Sequence, residues 1–165
     1  MNLIVAVDEN WAIGKEGDLL EKISEDLKRF KELTTNNIVV MGRVTFDSLP
    51  KKRPLPNRKN IVLTRDKTLV IEGVEICYTV DELLKMIEKE EKDVFVMGGE
   101  KIYKLLLPFC KKAYVTKIYN SYDADRYMEN LDISEEWEEK IKEEIRENDN
   151  GIKYQYITYE KKSGY

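Results

Sequence analysis

The stretch Val94-Phe95-Val96-Met97-Gly98-Gly99 joins a short apolar run to a pair of glycines, and apolar residues at helical spacing follow from Ile102. A continuous apolar run, unlike an alternating one, is typical of a strand that is covered on both faces, as in a parallel sheet. The pattern therefore predicts a buried strand that ends at the glycine pair, where a helix begins.

Three other continuous apolar runs, Leu3–Val7, Ile38–Met41 and Ile61–Leu63, predict further buried strands. Apolar residues at helical spacing predict helices around 27–33, 83–87 and 102–106, and the last of these ends near Pro108. Strands that alternate with helices are characteristic of an α/β fold. Because no repeat or linker interrupts the 165 residues, we expect a single domain over residues 1–165.

The C-terminal third is ambiguous by local criteria. Trp137, Ile141 and Ile145 are spaced by four, which fits one face of a helix and equally one face of a strand. Charged residues with high helix propensity surround them. However, Asn148–Gly151 is a strong turn signal, and the alternation that follows it predicts a strand around Tyr154. The residues alone leave helix and strand open for 137–145.

Composition indicates an ordinary globular protein with a heavily charged surface. Apolar residues make up 42% and charged residues 36% of the chain, and the net charge is −4. Basic residues alternate with acidic ones, so we expect no nucleic-acid partner.

The two cysteines, Cys77 and Cys110, are far apart and are expected to be reduced. The apolar run Leu3–Val7 is too short for a signal peptide or a membrane span, so we expect a cytoplasmic protein with no membrane partner.

The chain contains no histidine, so proton transfer near neutral pH must use a carboxylate, another titratable side chain or water. Asp26 is a candidate because it lies in the first turn of the helix predicted from Leu27 onward. An acid at that position is also favourable through the helix dipole alone, by about 0.3–1 kcal/mol. Considered in isolation, Asp26 is therefore better explained by the dipole than by catalysis.

Three predicted strand ends carry residues that suit an anion. Gly98-Gly99 could direct free backbone N–H groups at a phosphate, although a tight strand-to-helix turn explains the pair equally well. Gly42-Arg43-Val44-Thr45 and Thr64-Arg65 add hydroxyl groups and arginines at two other strand ends. Because parallel sheets bind ligands beyond the carboxyl ends of their strands, the combination suggests a dinucleotide. The usual GxGxxG motif is absent, so a standard Rossmann site is not supported.

The loop Arg53-Pro54-Leu55-Pro56-Asn57-Arg58 is stiffened by two prolines and carries two arginines. An arginine held there could bind a carboxylate through paired hydrogen bonds. From its own residues alone, however, the loop is better explained as an ordinary solvated surface loop.

Taken together, these motifs resemble the dihydrofolate reductase family in order and spacing. The N-terminal part of the match comprises Ile4-Val5-Ala6-Val7-Asp8, Ile13-Gly14, Glu25-Asp26-Leu27-Lys28-Arg29-Phe30-Lys31 and Met41-Gly42-Arg43-Val44-Thr45-Phe46-Asp47-Ser48-Leu49. The remainder comprises Arg53-Pro54-Leu55-Pro56, Arg58-Lys59-Asn60-Ile61-Val62-Leu63, Val96-Met97-Gly98-Gly99, Ile102-Tyr103 and Tyr114-Val115-Thr116. The likeness spans the whole chain.

The resemblance implies an α/β fold with a mostly parallel eight-stranded sheet, helices on both faces and an antiparallel C-terminal hairpin. It therefore favours strand over helix for 137–145. It also implies reduction of dihydrofolate to tetrahydrofolate by hydride transfer from the cofactor NADPH, in support of one-carbon metabolism. The expected partners are dihydrofolate and antifolate inhibitors, no metal is expected, and the protein is expected to be a monomer.

The resemblance also implies roles for individual residues. Asp26, the catalytic candidate, would bind the amidine-like edge of the pterin with support from Thr116, and Arg58 would bind the carboxylate of the glutamate tail. The other implied substrate-binding residues are Ile4, Val5, Leu27, Phe30, Leu49 and Leu55. Around the nicotinamide the resemblance places Ala6, Ile13, Gly14, Leu19, Met97 and Tyr103. For the phosphates it implies Arg43, Thr45, Gly98 and Gly99, with Thr64 and Arg65 at the 2′-phosphate. Neighbouring cofactor-binding positions are Gly42, Val44, Leu63, Glu100, Lys101 and Ile102.

The chain departs from the family pattern at several positions. Leu20-Glu21 replaces a common Pro-Trp pair, and Glu21 could either face solvent or raise the proton affinity of Asp26 by repulsion. Ser24 replaces a common proline and is expected to serve as the helix N-cap. Glu100 stands beside the glycine pair, where an acid would disfavour a phosphate unless its side chain turns away.

Two alternatives remain open at this point. One is the related NADPH-dependent pyrimidinone reductase of riboflavin synthesis, against which Asp26 and Arg58 argue. The other is a non-catalytic relative that binds folate or a dinucleotide, which the altered loop around Glu21 makes plausible.

Overall fold

The computed structural model describes residues 1–165 and contains twelve strands, four α-helices and two short 3-10 helices. The strands are β1 (Asn2–Val7), β2 (Ala12–Lys15), β3 (Asp18–Leu19), β4 (Ile38–Gly42), β5 (Lys59–Leu63), β6 (Val74–Cys77), β7 (Val94–Val96), β8 (Lys112–Ile118), β9 (Arg126–Tyr127), β10 (Trp137–Lys142), β11 (Arg146–Glu147) and β12 (Lys153–Lys161). The α-helices are α1 (Ser24–Thr34), α2 (Arg43–Asp47), α3 (Val80–Glu88) and α4 (Glu100–Leu106), and the 3-10 helices are Pro50–Lys52 and Leu107–Phe109.

Eight strands form one continuous sheet in the order β10-β12-β8-β1-β7-β4-β5-β6, and the short β11 also pairs with β12. Neighbours from β8 to β6 run parallel, whereas β12 is antiparallel to both β8 and β10. This arrangement confirms the predicted α/β fold with its mostly parallel eight-stranded sheet and antiparallel C-terminal hairpin.

The sheet is buried on both faces, as the continuous apolar runs predict. In β4, Ile38 and Val40 belong to the main core, whereas Val39 and Met41 belong to a separate cluster on the opposite face. All four side chains are fully buried. Because successive side chains of a strand point to opposite faces, one strand contributes to two cores. Helices α3 and α4 cover the first face, and Phe46 of α2 packs on the second.

The ambiguous segment after residue 136 is a strand. β10 pairs with β12 along most of its length, with a register shift between Glu139 and Ile141. Trp137 is buried in the main core, but Ile141 and Ile145 are 56% and 58% exposed. Their spacing by four therefore does not mark a core stripe, and Ile145 lies outside the strand. The helical interpretation is wrong, because pairing with β12 outweighs local helix propensity.

Helix α1 begins one residue earlier than an N-cap at Ser24 would imply. Its N-cap is Ile23, which has extended backbone dihedrals, and no side chain caps the helix. Ser24 is the first helical residue, so the expectation that Ser24 is the N-cap is wrong. Ile23 is instead buried against Ile118, Tyr154 and Tyr156, and this apolar contact holds the start of the helix on the sheet.

A second, three-stranded sheet in the order β3-β2-β9 lies beside the main one, and no sequence pattern predicts it. Asp8, 2% exposed at the end of β1, ties the two together. Its Oδ1 accepts hydrogen bonds from the backbone N–H groups of Asn10 (2.8 Å) and Ala12 (2.9 Å). Its Oδ2 accepts from the N–H of Tyr122 (3.0 Å) in the segment before β9. The small sheet is thus attached through one buried carboxylate.

Two further findings concern the whole chain. Cys77 and Cys110 are both free and buried, and burial raises the pKa of each thiol to about 11. None of the helices combines the length and the apolar character that crossing a membrane requires.

We expect Asp8→Ala to lower the free energy of unfolding by about 2–4 kcal/mol, because three backbone donors lose a charged acceptor and the donor of Ala12 is buried. Urea unfolding measures the change. Asp149→Ala, at an exposed turn position, is the matched control and should change stability by less than about 0.5 kcal/mol. A loss in Asp8→Ala no greater than in this control would show that the buried carboxylate is not the anchor of the small sheet.

Candidate functional site

A cavity lies beyond the carboxyl ends of β1, β4 and β7, between the main sheet and the small one. Twelve of the residues that the resemblance assigns to the site line it: Val5, Ala6, Ile13, Gly14, Leu19, Val44, Thr45, Met97, Gly98, Gly99, Glu100 and Tyr103. They come from five separate segments of the chain, so the fold brings together what the sequence only suggests.

The floor of the cavity is made of backbone. A Cβ atom on Gly98 or Gly99 would come within 3.3 Å of the Thr45 hydroxyl, and Gly98 has a positive φ of 126°. Below them, a Cβ atom on Gly42 would lie only 2.8 Å from the side chain of Ile102, and the Gly42 N–H donates to the Gly98 carbonyl (2.9 Å). A side chain at these glycines would therefore be crowded where α2 and α4 begin, and the first-turn N–H groups there lack acceptors within their own helices.

Helix α2 provides polar groups on the same side. Arg43 is exposed and pairs with both Asp47 and Asp66 at 3.3 Å. Ser48 also lines the cavity, although its hydroxyl donates to the carbonyl of Thr45 (2.7 Å). Ser48 was missed by the sequence analysis. Its position three residues after Thr45, on the same face of a helix, is a signal that could have identified it.

Three other lining residues were also missed: Gly17, Asp18 and Arg126. Gly17 and Asp18 follow Gly14 closely and could have been found by extending the predicted loop. Arg126 could not, because it reaches the cavity only through the pairing of β9 with β2.

The remaining predicted cofactor-binding residues do not line the cavity. Leu63 and Gly42 are buried within the fold, Ile102 is half-buried against the main core, and Lys101 is exposed. Thr64 and Arg65 follow β5, two strands away from β7. The Thr64 hydroxyl accepts a hydrogen bond from the N–H of Asp66 (3.2 Å), and Arg65 is exposed.

Asp26 lies next to this cavity, on the other side of the end of β1. Its Oδ1 accepts a hydrogen bond from the Thr116 hydroxyl at 2.6 Å. In the sheet, Thr116 is paired with Ala6 of β1 on one side and with Tyr156 of β12 on the other. Since Ala6 lines the cavity, Asp26 is linked to it through one row of adjacent residues.

Burial dominates the electrostatics of Asp26. It raises the pKa of the carboxyl group above its ordinary value, while the hydrogen bond from Thr116 and the charge of Arg29 act in the opposite direction. Glu21, by contrast, is not among the groups that shift the pKa of Asp26, and its Oε2 accepts a hydrogen bond from the Tyr122 hydroxyl (2.9 Å). Of the two alternatives for Glu21, the repulsive one is therefore not observed.

Most of the apolar residues that the resemblance assigns to the substrate are partly open to solvent. Leu27 leaves 46% of its surface exposed, and Phe30, Leu49 and Leu55 are half-buried. Leu49 and Leu55 pack against the cluster under α2. An apolar surface left partly open on the helix of a half-buried acid is typical of a binding cleft for a flat heterocycle.

Arg58 is held rigidly at the far end of this apolar surface. Its Nη1 donates to the Thr34 hydroxyl (3.0 Å), and its Nε donates to the Pro56 carbonyl (3.0 Å). Burial lowers the pKa of its guanidinium group, and no carboxylate of the protein offsets that effect. The buried Asn60 fixes the loop through hydrogen bonds with Leu55 and the Arg58 carbonyl. Arg58 is thus oriented and lacks a counter-ion, whereas Arg53 is exposed.

Carboxylates attach the segment around β2 and β3 to its neighbours. Glu100 Oε2 accepts a hydrogen bond from the N–H of Tyr127 (2.6 Å), so its side chain is directed towards β9. Asp125 Oδ2 accepts from the N–H of Glu16 (3.0 Å). Glu100 nevertheless lines the cavity, so its charge stays beside the glycine pair while one of its oxygens is occupied by the Tyr127 N–H.

Comparison with known proteins gives a consistent result. The family model for dihydrofolate reductase matches residues 1–161. The dihydrofolate reductase of Staphylococcus haemolyticus is 35% identical over 161 residues, covering 98% of this chain and 95% of its own length. That of Bacillus subtilis is 35% identical over 164 residues, with 99% and 95% covered. A solved structure, dihydrofolate reductase from Enterococcus faecalis complexed with NADP(H) and RAB-propyl, matches with a TM-score of 0.90 and 35% identity, covering 98% of this chain and 96% of that one.

The raised pKa of Asp26 predicts a characteristic pH dependence of stability. Because the folded protein binds this proton more tightly than the unfolded chain, the free energy of unfolding falls as the pH rises from the ordinary value of 3.8 through the raised pKa. Asp26→Asn cannot titrate but keeps an oxygen for the Thr116 hydroxyl. We expect the variant to gain stability relative to the original protein across this window and then level off, as measured by urea unfolding between roughly pH 3 and pH 8. A difference that is constant, or that falls with pH, would contradict the burial of this carboxylate.

Proposed function

The chain belongs to the dihydrofolate reductase family and reduces dihydrofolate with NADPH, and we propose that Asp26 is its catalytic residue and that the cleft on either side of the row Ala6–Thr116 holds the two reactants. The observation that carries this proposal is the hydrogen bond of 2.6 Å between Thr116 and Asp26, next to a residue that lines the cavity. This hydrogen bond supports a site in which the half-buried Asp26 faces a cleft that holds two flat rings.

The cavity residues suit NADPH. The backbone floor at Gly98 and Gly99, with the Thr45 hydroxyl beside it, would hold the bridging phosphates, assisted by Arg43. The half-buried Thr64 and the exposed Arg65 at the next strand end would bind the 2′-phosphate. Around the nicotinamide we place Ala6, Ile13, Gly14, Leu19, Met97 and Tyr103. When bound, NADPH supplies the hydride, and the protein contributes position and electrostatics.

The residues on the Asp26 side suit dihydrofolate. The carboxylate would accept two hydrogen bonds from the amidine-like edge of the pterin, which compensates for its burial. Ile4, Val5, Leu27, Phe30, Leu49 and Leu55 would enclose the rings. Arg58, already oriented by Thr34 and Pro56, would bind the carboxylate of the glutamate tail as a fixed fork. Neither Asp26 nor Arg58 would have such a partner in a pyrimidinone substrate.

The reaction also needs a proton at the pterin, and the chain offers no histidine to supply it. We infer that the proton arrives through water, with Asp26 holding the pterin in the orientation that receives it. A carboxyl group whose pKa is raised by burial retains a proton closer to neutral pH than an exposed one, which suits this role. The segment from β2 to β3, attached through Asp125 and through Glu21 to Tyr122, would limit the access of bulk water.

Three broader properties belong to the same proposal. The single sheet that runs from β10 to β6 supports one domain over residues 1–165. We also propose that the protein acts as a cytoplasmic monomer and that it binds antifolate inhibitors in the cleft beside Asp26.

We expect Asp26→Asn to lower the turnover number at pH 7 by about 100-fold or more, because the substituted group cannot ionise or hold the proton. Loss of NADPH absorbance in the presence of dihydrofolate measures the rate, and circular dichroism verifies the fold. Glu25→Gln is the matched control, since Glu25 is an exposed acid in the same helical turn. Unchanged turnover in Asp26→Asn would remove Asp26 from the mechanism, and an unchanged pH–rate profile would contradict its role in protonation.

We expect Arg58→Met to raise the KM for dihydrofolate by about 10- to 100-fold, which corresponds to the loss of a charged hydrogen-bonded pair. Arg53→Met, in the same loop, should leave it unchanged. The experiment is repeated with dihydropteroate, which lacks the glutamate tail and should be insensitive to both substitutions. Equal effects of Arg58→Met on the two substrates would show that Arg58 does not bind the tail.

A further inference from the structure

We propose that Arg29 is a positioning residue for the reaction: its guanidinium group, fixed on the ring of Tyr156, stabilises the ionised carboxylate of Asp26 from the same helix. The inference rests on the proposed role of Asp26 and goes beyond it, because it identifies a charge in this chain that favours the ionised form of that acid.

The position of Arg29 follows from the helix. Residues three apart in an α-helix lie on the same face, so Asp26 and Arg29 are neighbours along α1. The side chain of Arg29 is only 20% exposed, which reduces the screening of its charge by water. Its effect on Asp26 is therefore larger than that of a surface arginine at the same spacing.

The sheet fixes the guanidinium group from below. Its Cζ atom lies 3.9 Å from the centroid of the Tyr156 ring, which is a close stacking contact. Tyr156 is paired with Thr116, and Thr116 donates to Asp26. A closed circuit therefore runs from Asp26 through Thr116 and Tyr156 to Arg29 and back along α1. One step of the circuit lies within the sheet and one within the helix, and two side-chain contacts join them, so Arg29 cannot leave the Tyr156 ring without opening the circuit.

Glu143 completes the support of Arg29. Its Oε2 lies 3.7 Å from the Arg29 guanidinium, and its backbone N–H donates to the Tyr156 carbonyl (3.0 Å). Arg146 also pairs with Glu143 (3.4 Å) and lies 5.1 Å from the centroid of the same tyrosine ring, but it is exposed. Arg29 and Arg146 thus share the carboxylate of Glu143 and the ring of Tyr156. Only Arg29, the less exposed of the two, lies on the same helix as Asp26.

The other titratable groups around Asp26 do not replace this charge. Tyr103 of α4 and Tyr154 and Tyr156 of β12 are buried, and burial raises the pKa of Tyr156 to about 12, so that it is neutral. Glu21 is engaged by Tyr122 of the loop before β9. Among the charged groups, only Arg29 lowers the pKa of Asp26, which favours the ionised carboxylate. Thr116 assists, but it carries no charge.

The test compares three variants with the original protein. Arg29→Met removes the charge and keeps an apolar side chain over Tyr156. Arg29→Gln also removes the charge but keeps a polar side chain there. Arg29→Lys keeps the charge without the planar stack. Arg146→Met is the matched control, because it removes the other cation from the same ring. The pKa of Asp26 is measured in the ligand-free protein by carbon-13 NMR of its carboxyl group, which is assigned from the spectrum of Asp26→Asn.

We expect the pKa of Asp26 to rise by about 1 in Arg29→Met and Arg29→Gln, and to stay close to the original value in Arg29→Lys and Arg146→Met. The pH–rate profile of dihydrofolate reduction should shift upward by the same amount in the two neutral variants only. An unchanged NMR titration in both would overturn the inference. Since that titration involves no substrate, a shifted NMR pKa with an unshifted rate profile would instead count against the proposed role of Asp26.

Discussion

The hydrogen bond from Thr116 to Asp26 is the interaction on which the arrangement of the site depends. A carboxylate is costly to bury unless a donor faces it, and here the donor stands in the middle of the sheet, between β1 and β12. Ala6, Thr116 and Tyr156 form one row across three strands. The row connects the cavity beside β1, the acid above β8 and the arginine above β12. The strand order β12-β8-β1 is therefore a requirement of the proposed chemistry as well as of the fold.

Much of the fold was predictable because the central strands are specified locally. A strand buried on both faces must be apolar throughout, and β1, β4, β5 and β7 show this in their residues. The C-terminal hairpin was not predictable in the same way. Its strand β10 is exposed at five of its six positions and is held by pairing with β12. Its charged residues therefore match a solvent-exposed surface and do not indicate whether the segment is a strand or a helix. The three-stranded sheet escaped prediction for a similar reason, since its strands have only two to four residues.

The candidate site was predictable where the sequence itself carries unusual residues, such as the glycine pair at Gly98, the proline-bracketed loop at Pro56 and the acid at the helix start, Asp26. It was less so where function depends on contacts between distant segments. Nothing in the sequence pairs Glu21 with Tyr122, Glu100 with Tyr127, or Arg126 with the cavity. Ser24 illustrates a different limit: a good capping residue stands at the helix start, but the burial of Ile23 decides where the helix begins.

Three carboxylates, those of Asp8, Asp125 and Glu100, attach the small sheet and its loops by accepting hydrogen bonds from backbone N–H groups. Where Asp8 and Glu100 accept from the backbone of the covering segment, the attachment does not depend on which side chains that segment carries. Exchanges of such side chains can therefore accumulate during evolution without loosening the cover, whereas Glu21, which replaces the tryptophan of the family pattern, is itself attached to Tyr122. An inhibitor that gains its affinity from the covering segment contacts side chains that can change under selection. An inhibitor that binds Asp26 and Thr116 contacts groups whose positions the sheet constrains.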